Sequence, residues 1–146
     1  MGSFELHVDI ARPPAAVWAV LSDVTRTPEW YEAVVRVVPV SPAGRGTGAT
    51  YSITRTLPGG TAVNLVQVTE SVSGERFTME SRSGPTPFTY RYSLTSVEGG
   101  TRLTLDGEIS AEGLPQPLAS LGPVVTTVFK KGMRSNLRVL ARSIPR

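Results

Sequence analysis

At 146 residues the chain suits one domain spanning 1–146 and leaves little room for two. Hydrophobic residues make up 40% and charged residues 18%, a globular rather than a disordered balance. There is no cysteine and one histidine, His7, which excludes a disulfide scaffold, thiolate metal sites, a cysteine nucleophile and a histidine metal cluster. A Ser-His-Asp triad would need His7 as its base.

No stretch approaches the ~20 apolar residues that span a bilayer. No basic segment followed by an apolar core opens the chain, so no signal peptide is expected and a soluble, cytoplasmic protein is the default. The net charge is +3, from thirteen Arg and two Lys against twelve acidic residues. Only the C-terminal segment concentrates the cations, at Lys130, Lys131, Arg134, Arg138, Arg142 and Arg146. An excess this small suits a solvated face, so nucleic acid is not the expected partner.

Residues 4–10 alternate Phe4, Leu6, Val8 and Ile10 with Glu5, His7 and Asp9, the period of a half-buried strand with His7 on its polar face. Ala11-Arg12-Pro13-Pro14 ends it, and Pro14 suits the first turn of a short helix carrying Val17, Trp18, Val20 and Leu21 and ending near Asp23. A second short helix is predicted from Thr27-Pro28-Glu29-Trp30-Tyr31, with Thr27 as N-cap and Pro28 at the first helical position. From residue 34 the period becomes two. The predicted strands are 34–40, whose Pro39 marks an edge or bulge, then 49–57, 61–71, 75–83, 88–97 and 101–110. Short Gly- and Pro-bearing turns make consecutive strands antiparallel neighbours.

The apolar parity of these strands gathers Tyr51, Ile53, Arg55 and Leu57, then Phe77 and Met79, then Phe88, Tyr90, Tyr92 and Leu94, then Leu103, Leu105, Gly107 and Ile109. Strand 61–71 is apolar on both faces, which leaves the facing of Asn64 and Gln67 open. Glu80, Arg82, Arg91, Asp106 and Glu108 fall on the hydroxyl-rich face and read as cross-strand surface pairs. A sheet greasy on one face needs a cover. The period returns to about 3.6 after Gly113-Leu114-Pro115-Gln116-Pro117. Leu118, Leu121, Val125, Val128, Phe129, Met133, Leu137, Leu140 and Ile144 form one stripe, opposite Lys130, Arg134, Arg138 and Arg142. Gly122-Pro123 is expected to break or kink this helix near its start. Gly132 costs ~1 kcal/mol against alanine inside it, for which close packing on the sheet is the expected cause.

The order is strand, two short helices, six strands, long helix. Three stretches carry a resemblance: DIARPPAAVWAVLSDVTRTPEWYEAV, the pair GTGATY and GGTRLTL, and the amphipathic terminal helix. On these the whole chain resembles the START/Bet v 1-like (SRPBCC) superfamily, in its polyketide cyclase/dehydrase and lipid-transport branch. The resemblance implies an α+β helix-grip fold. A seven-stranded curved antiparallel sheet would wrap around the long C-terminal helix, with two short helices between strands 1 and 2.

A curved sheet gripping one helix does not close along its whole length, and such hollows are ~300–1,000 Å³ and mostly apolar. The expected lining is Trp30, Tyr51, Ile53, Arg55, Phe77, Met79, Phe88, Tyr90, Tyr92, Val125, Phe129 and Met133. The turns at 58–60, 84–87 and 113–117 follow strands running the same way, so the mouth is expected there, beside the start of the terminal helix. The expected partner is a small hydrophobic or amphipathic molecule, polyketide- or lipid-like, with no metal or cofactor. A weak homodimer stays open.

Family members include both carriers and enzymes, so two readings stand together: a binding module, and a polyketide cyclase, aromatase or dehydratase. Candidate catalytic groups are Arg55, which holds a carboxylate or enolate oxygen if its face is inward and otherwise reads as an arginine at the sheet rim, and the donors Tyr90 and Tyr92, each of which also reads as a core tyrosine reaching a backbone group. Asn136 is marginally placed to reach the interior. No carboxylate falls clearly on the apolar face, so the usual acid/base pair is missing. A third reading has the basic helix face docking an acidic partner or membrane surface.

Overall fold

The computed structural model describes residues 2–41, 45–57, 59–114, 116–117 and 120–145. Pro58 and Pro115 of the predicted turns, Leu118 of the apolar stripe and Arg146 of the basic run lie outside the described residues. The strands are β1 (Gly2–Ile10), β2 (Val34–Pro39), β3 (Thr50–Leu57), β4 (Gly60–Val72), β5 (Arg76–Ser83), β6 (Phe88–Val97) and β7 (Gly100–Ile109). They form one antiparallel sheet in the order β1-β7-β6-β5-β4-β3-β2. The helices are α1 (Pro14–Leu21) and α2 (Gly122–Ser143), with a 3-10 helix at Val24–Glu29 between α1 and β2. This is the helix-grip arrangement that the resemblance implies.

The two-residue period places the core. Phe4, Leu6, Tyr51, Ile53, Phe77, Met79, Tyr90, Tyr92, Leu103, Leu105 and Ile109 are all buried, as their parity predicts. Asn64 is wholly buried, whereas the Gln67 side chain faces outward and accepts from Arg82 Nε and Nη2 at 3.0 and 2.7 Å. The open question of register in β4 is thereby settled. On the outer face Arg91 pairs with Glu108 at 2.9 Å, while Glu80 and Asp106 join none of the ion pairs among the described residues. His7 is exposed on that face, opposite Thr104.

Gly107 sits among large residues because of its neighbour on β1. Phe4 is its register partner and lays its ring over the glycine, so that a Cβ there would stand 2.5 Å from the ring edge. The ring fills the volume that a side chain at 107 would otherwise occupy.

Three local expectations are corrected. The second short helix is a 3-10 helix that begins at Val24, with Pro28 inside it and Trp30 closing it. Thr27 is not its cap: its hydroxyl donates back to Val24 O at 2.7 Å, and its own carbonyl accepts from Trp30 and Tyr31. Pro28 has no N–H to donate to Val24 O four residues before it, and the Thr27 hydroxyl donates to that carbonyl. Gly122-Pro123 does not kink α2 but opens it, with proline in the first turn where its missing N–H costs nothing. Gly132 is not packed on the sheet: it is exposed, and a Cβ there would meet nothing within 4 Å.

The terminal helix is buried only through its second half. Met133, Asn136, Leu137 and Leu140 are buried, followed by Ile144, whereas Leu121 and Val128 of the predicted stripe are 44% and 61% exposed. The reason lies in the docking. Helix α2 packs chiefly along β1, at one edge of the sheet order, and so leaves a gap toward β3 near the other edge.

Candidate functional site

That gap is a cavity of about 430 Å³, open on one side. Three segments wall it. Tyr31, Glu32 and Ala33 come from the stretch between the 3-10 helix and β2. Arg55, Thr56 and Leu57 end β3. Val128, Phe129, Gly132, Met133, Ser135 and Asn136 come from the middle of α2. Asn136 ties two walls together, because its Oδ1 accepts from Glu32 N–H at 3.2 Å while its Nδ2 donates to Met133 Sδ at 3.4 Å. A wider groove of about 610 Å³ runs between the start of β1, the end of β7 and the start of α2. Its lining residues include no buried charged or polar side chain, so the chemistry sits in the first cavity.

The dominant group is Arg55. It is 1% exposed and lies in the wall of the cavity. Its inward parity on β3 puts it beside Asn64 of β4, whose Oδ1 accepts from Nε at 3.2 Å and Nη2 at 2.7 Å. Nη2 also donates to Pro85 O at 3.0 Å and Thr86 Oγ1 at 2.6 Å. The guanidinium carbon stands 5.0 Å from the centre of the Phe88 ring, within cation–π range. Nη1 is buried with no hydrogen-bond partner among the described residues. No carboxylate pairs with this cation there: the four ion pairs, Arg26–Glu29, Arg76–Glu70, Arg91–Glu108 and Arg102–Asp9, all lie at the surface.

The loop that supplies these acceptors is built for close approach. Gly84 has φ +106°, and a Cβ on it would stand 2.4 Å from Val63 O and 2.9 Å from the Asn64 side chain. Glycine alone lets the chain fold down onto β4 here and aim Pro85 O at both Asn64 Nδ2 (2.9 Å) and Arg55. Thr86 follows at φ +46°, wholly buried, its N–H donating to Glu112 O at 2.6 Å.

Behind the wall lies an aromatic stack. Phe88 and Tyr90 have ring centres 4.7 Å apart, Tyr90 and Tyr92 6.5 Å, and Trp30 and Tyr92 6.5 Å. The hydroxyls of Tyr31 and Tyr90 meet at 3.5 Å, which links this stack to the cavity through Tyr31. Burial pushes the Tyr90 hydroxyl well above the usual tyrosine range, and the neighbouring Tyr31 adds to the shift. Burial, with Tyr31 as the lesser cause, does the same to Tyr92. Both are therefore donors rather than bases at neutral pH. Tyr92 Oη and Trp30 Nε1 are buried without a partner among the described residues.

Of the twelve residues expected to line the hollow, Arg55, Phe129 and Met133 do so. Phe88 and Tyr90 form the layer behind Arg55. Trp30, Tyr51, Ile53, Phe77, Met79 and Tyr92 are core residues that do not reach the cavity wall, and Val125 is half-buried on α2 outside it. A parity argument separates inside from outside, but it does not separate packed from hollow. Tyr31, Glu32, Thr56, Leu57 and Ser135 fall outside the expected lining, and Gly132 stands out in the sequence by its helix cost alone.

Of the turns expected at the mouth, 58–60, 84–87 and 113–117, the first adjoins Leu57 of the cavity wall, while Pro58 and Pro115 lie outside the described residues. The loops at 84–87 and 110–113 do meet, through Thr86 N–H to Glu112 O and Ser110 N–H to Pro87 O, but they do not line the opening. The opening faces the β3 side because α2 rests on β1.

Chemically, the wall brings together a buried guanidinium, Tyr31 and a mostly apolar surface, with the unpartnered Arg55 Nη1 and the Tyr31 hydroxyl both buried. Glu32, at the exposed rim, is the one carboxylate in the lining, and no histidine is present there. Brought against a ligand, this set can polarise an oxygen, while general acid–base chemistry has few groups to draw on.

Comparison with known proteins agrees with this architecture. A START superfamily protein from Mycobacterium smegmatis superposes with a TM-score of 0.80 at 16% identity, covering 97% of this chain and 96% of that one. A protein from Thermus thermophilus gives 0.82 at 16% identity, covering 98% and 97%. The ZhuI aromatase/cyclase from Streptomyces sp. R1128 gives 0.81 at 13% identity, covering 98% and 93%. At these identities the likeness is one of fold. No curated protein matches the chain. Among the described residues no helix is long and apolar enough to cross a membrane. The family model described as polyketide cyclase / dehydrase and lipid transport matches residues 1–144, and the chain belongs to that family.

Proposed function

We propose that this protein binds a small amphipathic molecule with a polyketide- or lipid-like apolar body in the cavity between α2, the end of β3 and residues 31–33. The observation that carries this reading is a 430 Å³ hollow walled by Leu57, Val128, Phe129 and Met133, with a buried guanidinium at one side. A hollow of that size lies in the range of small-molecule sites and has their composition, mostly apolar with a few fixed polar groups. Family membership supports the same ligand class.

A second reading, cyclisation or dehydration of such a ligand, is favoured by one specific feature: Arg55 and Tyr31 face the same cavity. A cation and a hydroxyl of this kind would supply orientation and oxyanion stabilisation once a rearrangement of the wall brought them against a ligand carbonyl. The aromatase/cyclase neighbour lends this reading support at the level of fold.

The test is native mass spectrometry of the protein purified from its own host, followed by organic extraction. A co-purified amphipathic compound supports binding, and turnover of that compound on incubation moves the assignment to the enzyme. A protein that carries nothing and takes up no amphipathic probe overturns both readings.

A further inference from the structure

We propose that the outward face of α2 docks on an anionic lipid surface, its first half against the acyl boundary and its second half among the headgroup phosphates. The first observation is a split of charge. Helix α2 carries five cations, Lys130, Lys131, Arg134, Arg138 and Arg142, and no acidic residue. The rest of the chain holds ten cations against twelve acids, so the net +3 resolves into +5 on this one helix and −2 elsewhere. None of the four ion pairs among the described residues draws on the helix. Lys131, Arg134, Arg138 and Arg142 are exposed, and Lys130 is half-buried. A one-signed field of this kind attracts an external anionic surface.

A second pattern decides which anionic surface. Residues 124, 128, 131, 135, 138 and 142 follow steps of four and three, so they form one face of the helix, opposite Met133, Leu137 and Leu140. All six are exposed. In order they read Val, Val, Lys, Ser, Arg, Arg. Val124 and Val128 are 57% and 61% exposed, so an apolar end and a basic end share the face. A nucleic acid backbone offers phosphates but no apolar surface beside them, and a second copy of the chain sets +5 against +5. A bilayer with acidic lipids matches both ends, with phosphates for the cations and the boundary between headgroups and acyl chains for the valines. Val128 and Ser135 belong to the cavity wall as well, so docking brings the opening to the edge of the membrane contact. The proposal goes beyond the binding reading above and does not depend on it.

The experiment is co-sedimentation of the whole protein with vesicles of phosphatidylcholine alone and of phosphatidylcholine with about 30% phosphatidylglycerol. The protein is expected to bind the mixed vesicles at least about tenfold more strongly, and to lose that preference as salt rises and the screening length falls from about 10 to about 3 Å. Each cation near such a surface corresponds to about fivefold in partitioning, so Lys131→Gln combined with Arg138→Gln is expected to lower binding about 25-fold. Val124→Ser is expected to lower it about tenfold by itself. Both variants change exposed side chains outside the cavity wall, and circular dichroism checks that each is folded. Equal binding to the two kinds of vesicle, or binding to neither, overturns the proposal. Binding that the charge variant leaves unchanged overturns the assignment to α2. Binding that falls in the charge variant but not in Val124→Ser overturns the docking of the apolar end, and a duplex oligonucleotide held as tightly as the mixed vesicles reassigns the face to nucleic acid. Uptake of the amphipathic probe decanoate in vesicle-free solution reports separately on the cavity.

Discussion

Arg55 Nη2 donates to Thr86 Oγ1 at 2.6 Å, and Thr86 offers that oxygen from a backbone held at φ +46°. A β-branched residue in the left-handed region stores ~1–3 kcal/mol of strain. It persists because the residue is wholly buried and its N–H is held by Glu112 O. Strain in the β5–β6 loop and placement of the buried cation are thus one feature of the fold. Thr86→Ala keeps the strained backbone and removes the acceptor of a charged donor, an expected loss of about 1.5–3 kcal/mol in denaturant unfolding. Thr86→Gly removes the same acceptor but relaxes the φ, so it is expected to be the more stable of the two. The reverse ranking would show that the loop is unstrained.

The pair Phe4 and Gly107 gives a second expectation. A side chain at 107 would enter the space of the Phe4 ring across the β1–β7 ladder. Gly107→Val is expected to destabilise by about 1–3 kcal/mol through overpacking, despite the better strand propensity of valine. Combining it with Phe4→Ala should recover part of the loss, a coupling readable in a double-mutant cycle.

Gly132 separates stability from access. Nothing lies within 4 Å of a Cβ at this exposed helical position, so Gly132→Ala is expected to raise stability by ~1 kcal/mol. Gly132→Phe would hang a ring over the mouth beside Val128, and decanoate uptake should weaken or slow. Unchanged uptake in a folded Gly132→Phe protein would place the entry elsewhere.

Alkaline pH tests the aromatic stack. The folded-state values of Tyr90 and Tyr92 lie well above the ordinary 10.0. Stability from their neutral hydroxyls is therefore complete below the unfolded value and is lost as pH rises through the folded one. In a titration followed by tyrosinate absorbance, these two residues should stay protonated past pH 10 and ionise only together with loss of the near-ultraviolet circular dichroism of the fold. Ionisation of all four tyrosines near pH 10 in a protein still folded would contradict this.

Period and turn chemistry determined the architecture. Strict alternation through Phe88–Leu94 and Leu103–Ile109, broken by glycine-bearing turns, specifies an antiparallel meander, because a one-residue slip would expose every one of those side chains. The 3.6 period of Met133, Leu137, Leu140 and Ile144 specifies the cover. The shared parity of Arg55 with Tyr51 and Ile53 was legible, but it fitted a rim arginine as well as a buried one, and only the tertiary structure buries it. Where α2 comes to rest was not legible, because its stripe fits any part of an apolar face. Only docking on β1 decides that the gap opens toward β3, with Tyr31 and Leu57 as walls and Tyr51 and Met79 as core. The partners of Arg55 were equally hidden. Asn64, Pro85 and Thr86 are separated from it by 9, 30 and 31 residues and converge through a glycine fold-back, a long-range contact that no local spacing encodes.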